Sequence, residues 1–464
     1  MSVPCFAVVG QPNKGKSSIV ATLAEDERIG ISPTPGTTRQ ASRYTLTVAG
    51  EPIYTLVDTP GFQRARAVLT WLNERANDAS QRGELVRQFV EAHAEDERFH
   101  DEVELLRPIL DGAGILYVVD GAKPYGPEYE IEMQILQWTG QPRMALINRI
   151  GDSDFRQDWR RALDQYFSIV REFDAVGADF ETRLSVLGAF AELKESWRPS
   201  LMRATEVLRA ERRRRRSQSA RHIADLIARS MTMQKRERLE AEQDSDALRA
   251  RLTDGLMDDV RRRERLMQRQ VQALYRHEHA ALESGDLDLV SLDLFSEEGW
   301  ELFGLSREKL VIAGALGGAA AGGGLDLLVG GASLLLGTLV GGVIGGVSAL
   351  LGGRELARVE VLGSPIGGDM LVVGPVQAAN FPWVLLGRAV THFRLVSERN
   401  HARREALNVA LRNDAHIMDQ IGDSDRRALA ARFSDIRKGD GDMGAVGALA
   451  EEIERLLAEE ETHA

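Results

Sequence analysis

Hydrophobic positions change rhythm three times along this 464-residue chain. Up to about residue 180, short apolar runs alternate with segments of helical spacing. "FAVVG" (6–10), "YTLTVAG" (44–50), "IYTLVD" (53–58), "GILYVVD" (114–120), "RMALIN" (143–148) and "SIVREF" (168–173) predict strands, several of them apolar on both faces. A strand buried on both faces belongs to a sheet covered by helices on each side, which favours mostly parallel pairing. The exception is the pair 44–50 and 53–58, joined by the short turn Gly50-Glu51-Pro52, which reads as a β-hairpin. Between the runs 53–58 and 114–120, the charged stretch 63–107 predicts a helical insertion into this first domain, 1–180.

Over 181–306 the apolar positions recur at three and four residues in a highly charged background, which predicts a helical bundle or stalk. Arg203 to Arg238 is its basic part, with twelve basic and four acidic side chains. In 307–356 that rhythm disappears. Residues 310–353 hold one charge, Asp326, and fifteen glycines. Glycines at 314, 318 and 322, and again at 337, 341 and 345, form i,i+4 rows that let two helices approach closely. The first arm, about 15 residues before Asp326, is short of the ~20 needed to span a bilayer. The pattern therefore predicts a shallow or re-entrant apolar helical hairpin with both ends on the cytoplasmic side. The alternative is a hairpin packed inside the helical bundle, at about 1 kcal/mol per glycine relative to alanine. The region 357–464 is mixed, with strands near 357–374 and helices to the end.

Hydrophobic content of 43% with 28% charged residues describes an ordinary globular chain. A net charge of −12 argues against non-specific nucleic-acid binding by the whole molecule, although the run Arg212–Arg216 is open to an RNA contact, an anionic-lipid contact or a solvated helix face. The single cysteine, Cys5, permits no intramolecular disulfide and implies no oxidising compartment. "MSVPCFAVVGQPN" has neither a basic n-region nor a long apolar core, so no signal peptide is expected and the cytoplasm is the expected compartment.

The first strand runs into "GQPNKGKSS", which contains Gly-x-x-x-x-Gly-Lys-Ser at Gly10, Gly15, Lys16 and Ser17, with Ser18 following. A glycine-rich turn leaves backbone N–H groups free to face phosphate oxygens, and the helix that follows adds its positive end. Lys16 can reach terminal phosphates, and the Ser17 hydroxyl can ligate Mg²⁺. "LVDTPG" places Asp58 at a strand end to hold Mg²⁺ through water and offers the Gly61 amide to a γ-phosphate. "SPTPGTTRQ" between them supplies hydroxyls to complete the metal shell. His93, Glu97, His100 and Glu104 share one helical face, which favours a charged surface over half of a metal site.

"GQPNKGKS", "PGTTR" and "DTPG" resemble the Era/Der/TrmE branch of translation-factor-class GTPases over roughly residues 4–175. The resemblance implies an α/β P-loop GTPase domain with helices on both faces, binding GTP and GDP, followed by a mostly α-helical C-terminal half with the Gly-rich hairpin. It implies Thr38 as the metal-binding switch threonine, taking part with Lys16 in catalysis. It matches Asn13 to the asparagine that binds K⁺ in some relatives. Lys14 departs from the small or aliphatic residue usual there; a fixed ammonium could replace K⁺, but a lysine facing solvent is favoured. Phe62 stands where Ras-like proteins carry a water-orienting glutamine, so slow turnover is expected without dimerisation, cation or partner.

The base-reading loop departs from the family. Where Asn-Lys-x-Asp is expected the chain reads Asn148-Arg149-Ile150-Gly151, with Asp152 one place late. Asn148 can tie the loop to the phosphate loop, and the Arg149 stem can cover a base face. The carboxylate that takes two N–H bonds from guanine is displaced, and Asp152 or Asp154 would have to swing in. The whole chain resembles a poorly characterised bacterial group of such GTPases with a C-terminal domain of unknown function. Two roles are open: a GTPase associated with the inner face of the cytoplasmic membrane through 310–353, binding lipid, which is favoured; or a cytosolic RNA- or ribosome-directed assembly GTPase. A homodimer through the GTPase domain is compatible with both.

Overall fold

The structure, a computed structural model, describes residues 3–25, 40–149, 151, 153–239, 244–276, 293–296, 303–304, 350–351, 360–361, 364–365, 370–398, 418, 421–439 and 441–463. The chain divides into two compact units, one over Met1–Arg212 and one over Arg213–Glu398 with Ala406–Ala464.

In the first unit six strands form one sheet: β1 (Cys5–Val9), β2 (Ser42–Val48), β3 (Glu51–Asp58), β4 (Gly114–Asp120), β5 (Arg143–Asn148) and β6 (Ile169–Phe173). Their order is β2-β3-β1-β4-β5-β6, parallel except for the antiparallel pair of β2 with β3. The hairpin turn lies one residue earlier than the sequence suggests, at Ala49 and Gly50, both at positive φ (51° and 83°). Two positive φ values give the turn whose twist matches the strands, and Glu51-Pro52 is released to begin β3.

Alternation along β1 sends Phe6 and Val8 to one apolar layer and Ala7 and Val9 to the other. The first layer is covered by α1 (Lys16–Ala24), by α7 (Phe180–Leu193) and by Leu201, Ala204 and Leu208 at the start of α8 (Arg198–Thr232). Phe190 stacks on Phe6 at 3.8 Å, and Trp197 meets the same ring edge-on at 5.3 Å. Gly114 is required under that tryptophan, because a Cβ there would lie 2.6 Å from the indole. The other layer receives α5 (Glu128–Trp138), α6 (Arg156–Leu163) and the inserted helices α2 (Ala65–Asn73), α3 (Arg82–Ala92) and α4 (His100–Leu110). Val68 and Leu72, Leu85 and Phe89, and Leu105 and Ile109 each lie four residues apart and are buried, so the insertion is part of the domain's core.

In the second unit the later part of α8, α9 (Ser245–Leu274), α10 (Phe381–Glu398), α11 (Asp423–Lys438) and α12 (Met443–His463) enclose one apolar core. Arg388 on α10 and Glu264 on α9 make a buried two-point ion pair in it, at 2.6 and 3.2 Å. Inside the stretch expected to be wholly helical lies a strand, β7 (Lys235–Arg238), paired antiparallel with β11 (Met370–Val373). "KRER" has no apolar face of its own; the apolar "MLVV" of β11 supplies the partner, so only a long-range contact makes it a strand. Between these, β9 (Glu360–Val361) and β10 (Ser364–Pro365) form a small antiparallel pair.

The expected apolar helical hairpin needs correction. Its last residues, Leu350–Leu351, form β8, a strand against Met370 and Leu371 of β11, where a helix running to 353 was expected. A strand partner satisfies the backbone of these two residues in place of helical hydrogen bonds. Residues 310–349 and 352–353 lie outside the described residues. Among the described residues no helix is long and apolar enough to cross a membrane.

Candidate functional site

The loop after β1 turns back on itself through two left-handed positions, Asn13 (φ 60°) and Gly15 (φ 83°), before α1 starts at Lys16. Gly10 (φ 150°) tolerates no side chain, since a Cβ would lie 2.3 Å from the Val118 carbonyl oxygen on β4. The loop is thus wedged between β4 and α1, with Gly10 and Gly15 at positive φ, where a side chain would clash or strain. Lys16 crosses its mouth, Nζ donating to the Gly10 (2.9 Å) and Gln11 (3.0 Å) carbonyls. Burial pulls this ammonium below its ordinary pKa, and the Asp58 carboxylate opposes that.

Ser17 and Asp58 meet across the loop, Oγ donating to Oδ2 at 2.8 Å. Asp58 is held at the end of β3 by register with Val8, and Thr59 anchors the next residue by donating to the Val8 carbonyl at 2.8 Å. Gly61 lies directly on the phosphate loop; a Cβ there would stand 2.8 Å from Pro12 Cδ and 2.9 Å from Gly10 O. Phe62 turns into the apolar layer of the insertion and is 6% exposed.

Lys14, expected to face solvent, is 5% exposed. Its ammonium stands 5.6 Å from the Tyr129 ring centroid, in the field of Asp120, Glu132 and Glu128. Burial lowers its pKa and these carboxylates oppose the fall. The reason is tertiary: α5 and the end of β4 bring an acidic and aromatic wall to a loop position that in sequence looks merely polar. Glu132 itself, buried against Lys16, accepts from the Tyr117 hydroxyl at 2.9 Å and bonds the Gln11 side chain. Burial pushes its carboxyl up to about 7. Its "EYEIEM" context resembles any amphipathic helix, and only the packing of α5 on β4 reveals it.

At the base-reading end, Asn148 Nδ2 donates to the Lys14 carbonyl (3.1 Å), and its Oδ1 accepts from the Ala175 amide (3.2 Å). Ala175 O in turn accepts from Thr22 on α1 (2.6 Å). One buried amide therefore joins the phosphate loop to the loop after β6, "DAVGA", for which sequence spacing offered no contacts. Arg149 and Gly151 are exposed. Asp154 is engaged elsewhere, gripping Arg156 at 2.8 and 2.7 Å while Arg156 also pairs with Glu172 at 2.5 Å. Thr38 and Asp152 lie outside the described residues. His93 stacks on Phe89, and among the described residues no group of His, Cys, Asp and Glu is arranged to hold a metal ion.

A family model described as a domain of unknown function (DUF3482) matches residues 160–444, and one described as a 50S ribosome-binding GTPase matches residues 5–149. The chain belongs to the P-loop GTPases of the Era/Der/MnmE type that carry a C-terminal DUF3482 domain. The GTPase Der of Chloroflexus aggregans is 54% identical over 59 residues, 13% of each chain. The tRNA modification GTPase MnmE of Koribacter versatilis is 37% identical over 91 residues, 19% of this GTPase and 20% of MnmE. This GTPase therefore spans only a small part of the curated relatives it matches. An Era structure from Aquifex aeolicus bound to GDP and aluminium fluoride is 21% identical and covers 42% of this GTPase and 57% of Era, with a TM-score of 0.30. Use of Mg²⁺ is typical of the family. The expected lipid partner and membrane attachment gain no support from these relatives, and with the apolar hairpin corrected above they are withdrawn.

Proposed function

We propose that this protein is a GTP-binding switch of the Era/Der/MnmE kind that acts on RNA or a ribosomal particle. The observation that carries the nucleotide part is the loop itself: a turn bracketed by Gly10 and Gly15 that leads into the N-terminus of α1, with Lys16 pinned across it by two carbonyls. An ammonium has three donors, so one is left for a phosphate oxygen. Ser17 and Asp58, hard oxygen donors 2.8 Å apart, fit Mg²⁺, which would neutralise phosphate charge. Lys16 would then bind the terminal phosphates, and the Gly61 amide would sense the third of them. The partner part is supported by the match to a ribosome-binding GTPase model and by the names of relatives that modify tRNA.

With Phe62 sealed in the core, no side chain at that place can orient water, so hydrolysis by the isolated protein is slow. Base selectivity is weak unless Asp152 takes the place of the missing carboxylate, because Asp154 is held by Arg156. Calorimetry with GTP, GDP, ATP and XTP, on wild type and Asp152→Ala, tests the nucleotide. No heat with any of them, and no change on Lys16→Ala, would sink the reading. Cosedimentation with ribosomal subunits in the GTP and GDP states, over a salt series, tests the partner.

A further inference from the structure

Helix α4 of the insertion touches the backbone that follows each of the two switch motifs, at Ala41 and at Gln63–Arg64. Glu102, wholly buried, accepts from the backbone N–H of Gln63 (2.8 Å) and of Arg64 (2.5 Å), the residues that follow "DTPGF". Arg64 caps the start of α2, whose positive end favours a carboxylate there. Two residues along, Glu104 accepts from the Ala41 N–H (3.1 Å), just after "SPTPGTTRQ" in sequence, while pairing with Arg107 at 3.3 Å. Phe62 fixes the same stretch from below by packing in the apolar layer that α4 also lines.

We propose that α4 is a positioning clamp: Glu102 holds the start of the second switch and Glu104 the end of the first, pre-organising both for a γ-phosphate. The proposal rests on the nucleotide reading above. Gly61, whose amide would meet that phosphate, lies two residues before the first clamped N–H. Anchoring Gln63 and Arg64 removes freedom that γ-phosphate binding must otherwise remove, whereas GDP, lacking that phosphate, demands no such ordering. Glu102 Oε2 is buried with no hydrogen-bond partner among the described residues. The carboxylate thus keeps an acceptor to which the segment can re-pair as it moves, without leaving a stranded N–H.

The test compares mant-GDP with a non-hydrolysable mant-GTP analogue, in Mg²⁺, on full-length wild type, Glu102→Ala, Glu102→Gln and Glu104→Ala. The analogue-to-GDP affinity ratio should fall about tenfold in Glu102→Ala, the loss of a charge-assisted pair of bonds. It should return towards wild type in Glu102→Gln, whose amide oxygen still accepts both N–H groups, and fall less in Glu104→Ala. A merely structural role would weaken both ligands alike; equal losses, or none, would overturn the clamp. If Glu102→Ala does not fold, an unchanged ratio in Glu104→Ala overturns it instead. Wild type that binds neither ligand would refute the nucleotide reading itself, and the clamp with it.

Discussion

Glu132 puts a carboxyl behind the phosphate loop, and replacing it with glutamine isolates what its burial costs. Burial moves its pKa from 4.5 to about 7, against the lowering effects of Gln11, Tyr117 and Lys16. That difference corresponds to roughly 3 kcal/mol against the ionised form. Because the folded pKa lies above the unfolded one, the stability linked to this group is complete below 4.5 and is lost as pH rises towards 7. Integrated between about pH 5.5 and about pH 8, wild type loses roughly 2 kcal/mol that Glu132→Gln retains. Glutamine keeps an oxygen for the Tyr117 hydroxyl, so the variant differs mainly in charge. The assay is urea unfolding at both pH values, followed by hydrogen exchange of the peptides carrying β4 and α5, which report this unit alone. Parallel pH profiles for the two proteins would show that Glu132 is ionised throughout, and would refute the account of a carboxyl held neutral by burial.

Asn148→Ala strands the Lys14 carbonyl and the Ala175 amide, each buried; at about 1–3 kcal/mol apiece, nucleotide affinity should drop at least tenfold for every base, read by mant-nucleotide titration. Gly61→Ala drives a Cβ into Pro12 and Gly10, so a triphosphate should lose affinity in calorimetry while the domain remains folded by circular dichroism. Glu264→Ala removes the two-point partner of the buried Arg388 and should cost up to about 3–5 kcal/mol in the second unit, whereas the double change Glu264→Leu with Arg388→Met should recover most of it in thermal unfolding.

The six strands of the nucleotide unit were legible because each is a short run of apolar and strand-favouring residues bounded by turns, several of them apolar on both faces, and such patterns need no distant partner to be recognised. The phosphate loop was legible for a related reason: its glycines and Lys16 act through local backbone geometry. The base-reading loop was half legible. Asn148 declares itself by position after β5, but that Asp154 is held by Arg156 is known only from the fold. Lys14 shows the limit plainly, a charged residue whose burial depends on α5, more than a hundred positions away.

Sequence alone thus determined the glycine-bracketed loop after β1 and the strand inventory of the first unit, since both are written in local spacing. Tertiary structure decided the rest: "KRER" became a strand because "MLVV" pairs with it, and Leu350–Leu351 joined the same sheet where a helix was expected. Glu102 and Glu104, two carboxylates among many on a charged insertion, found the switch backbones only when α4 packed against the sheet. Short-range rules set propensity at a fraction of a kcal/mol per residue, and a buried long-range contact, at about 1–3 kcal/mol, overrules them.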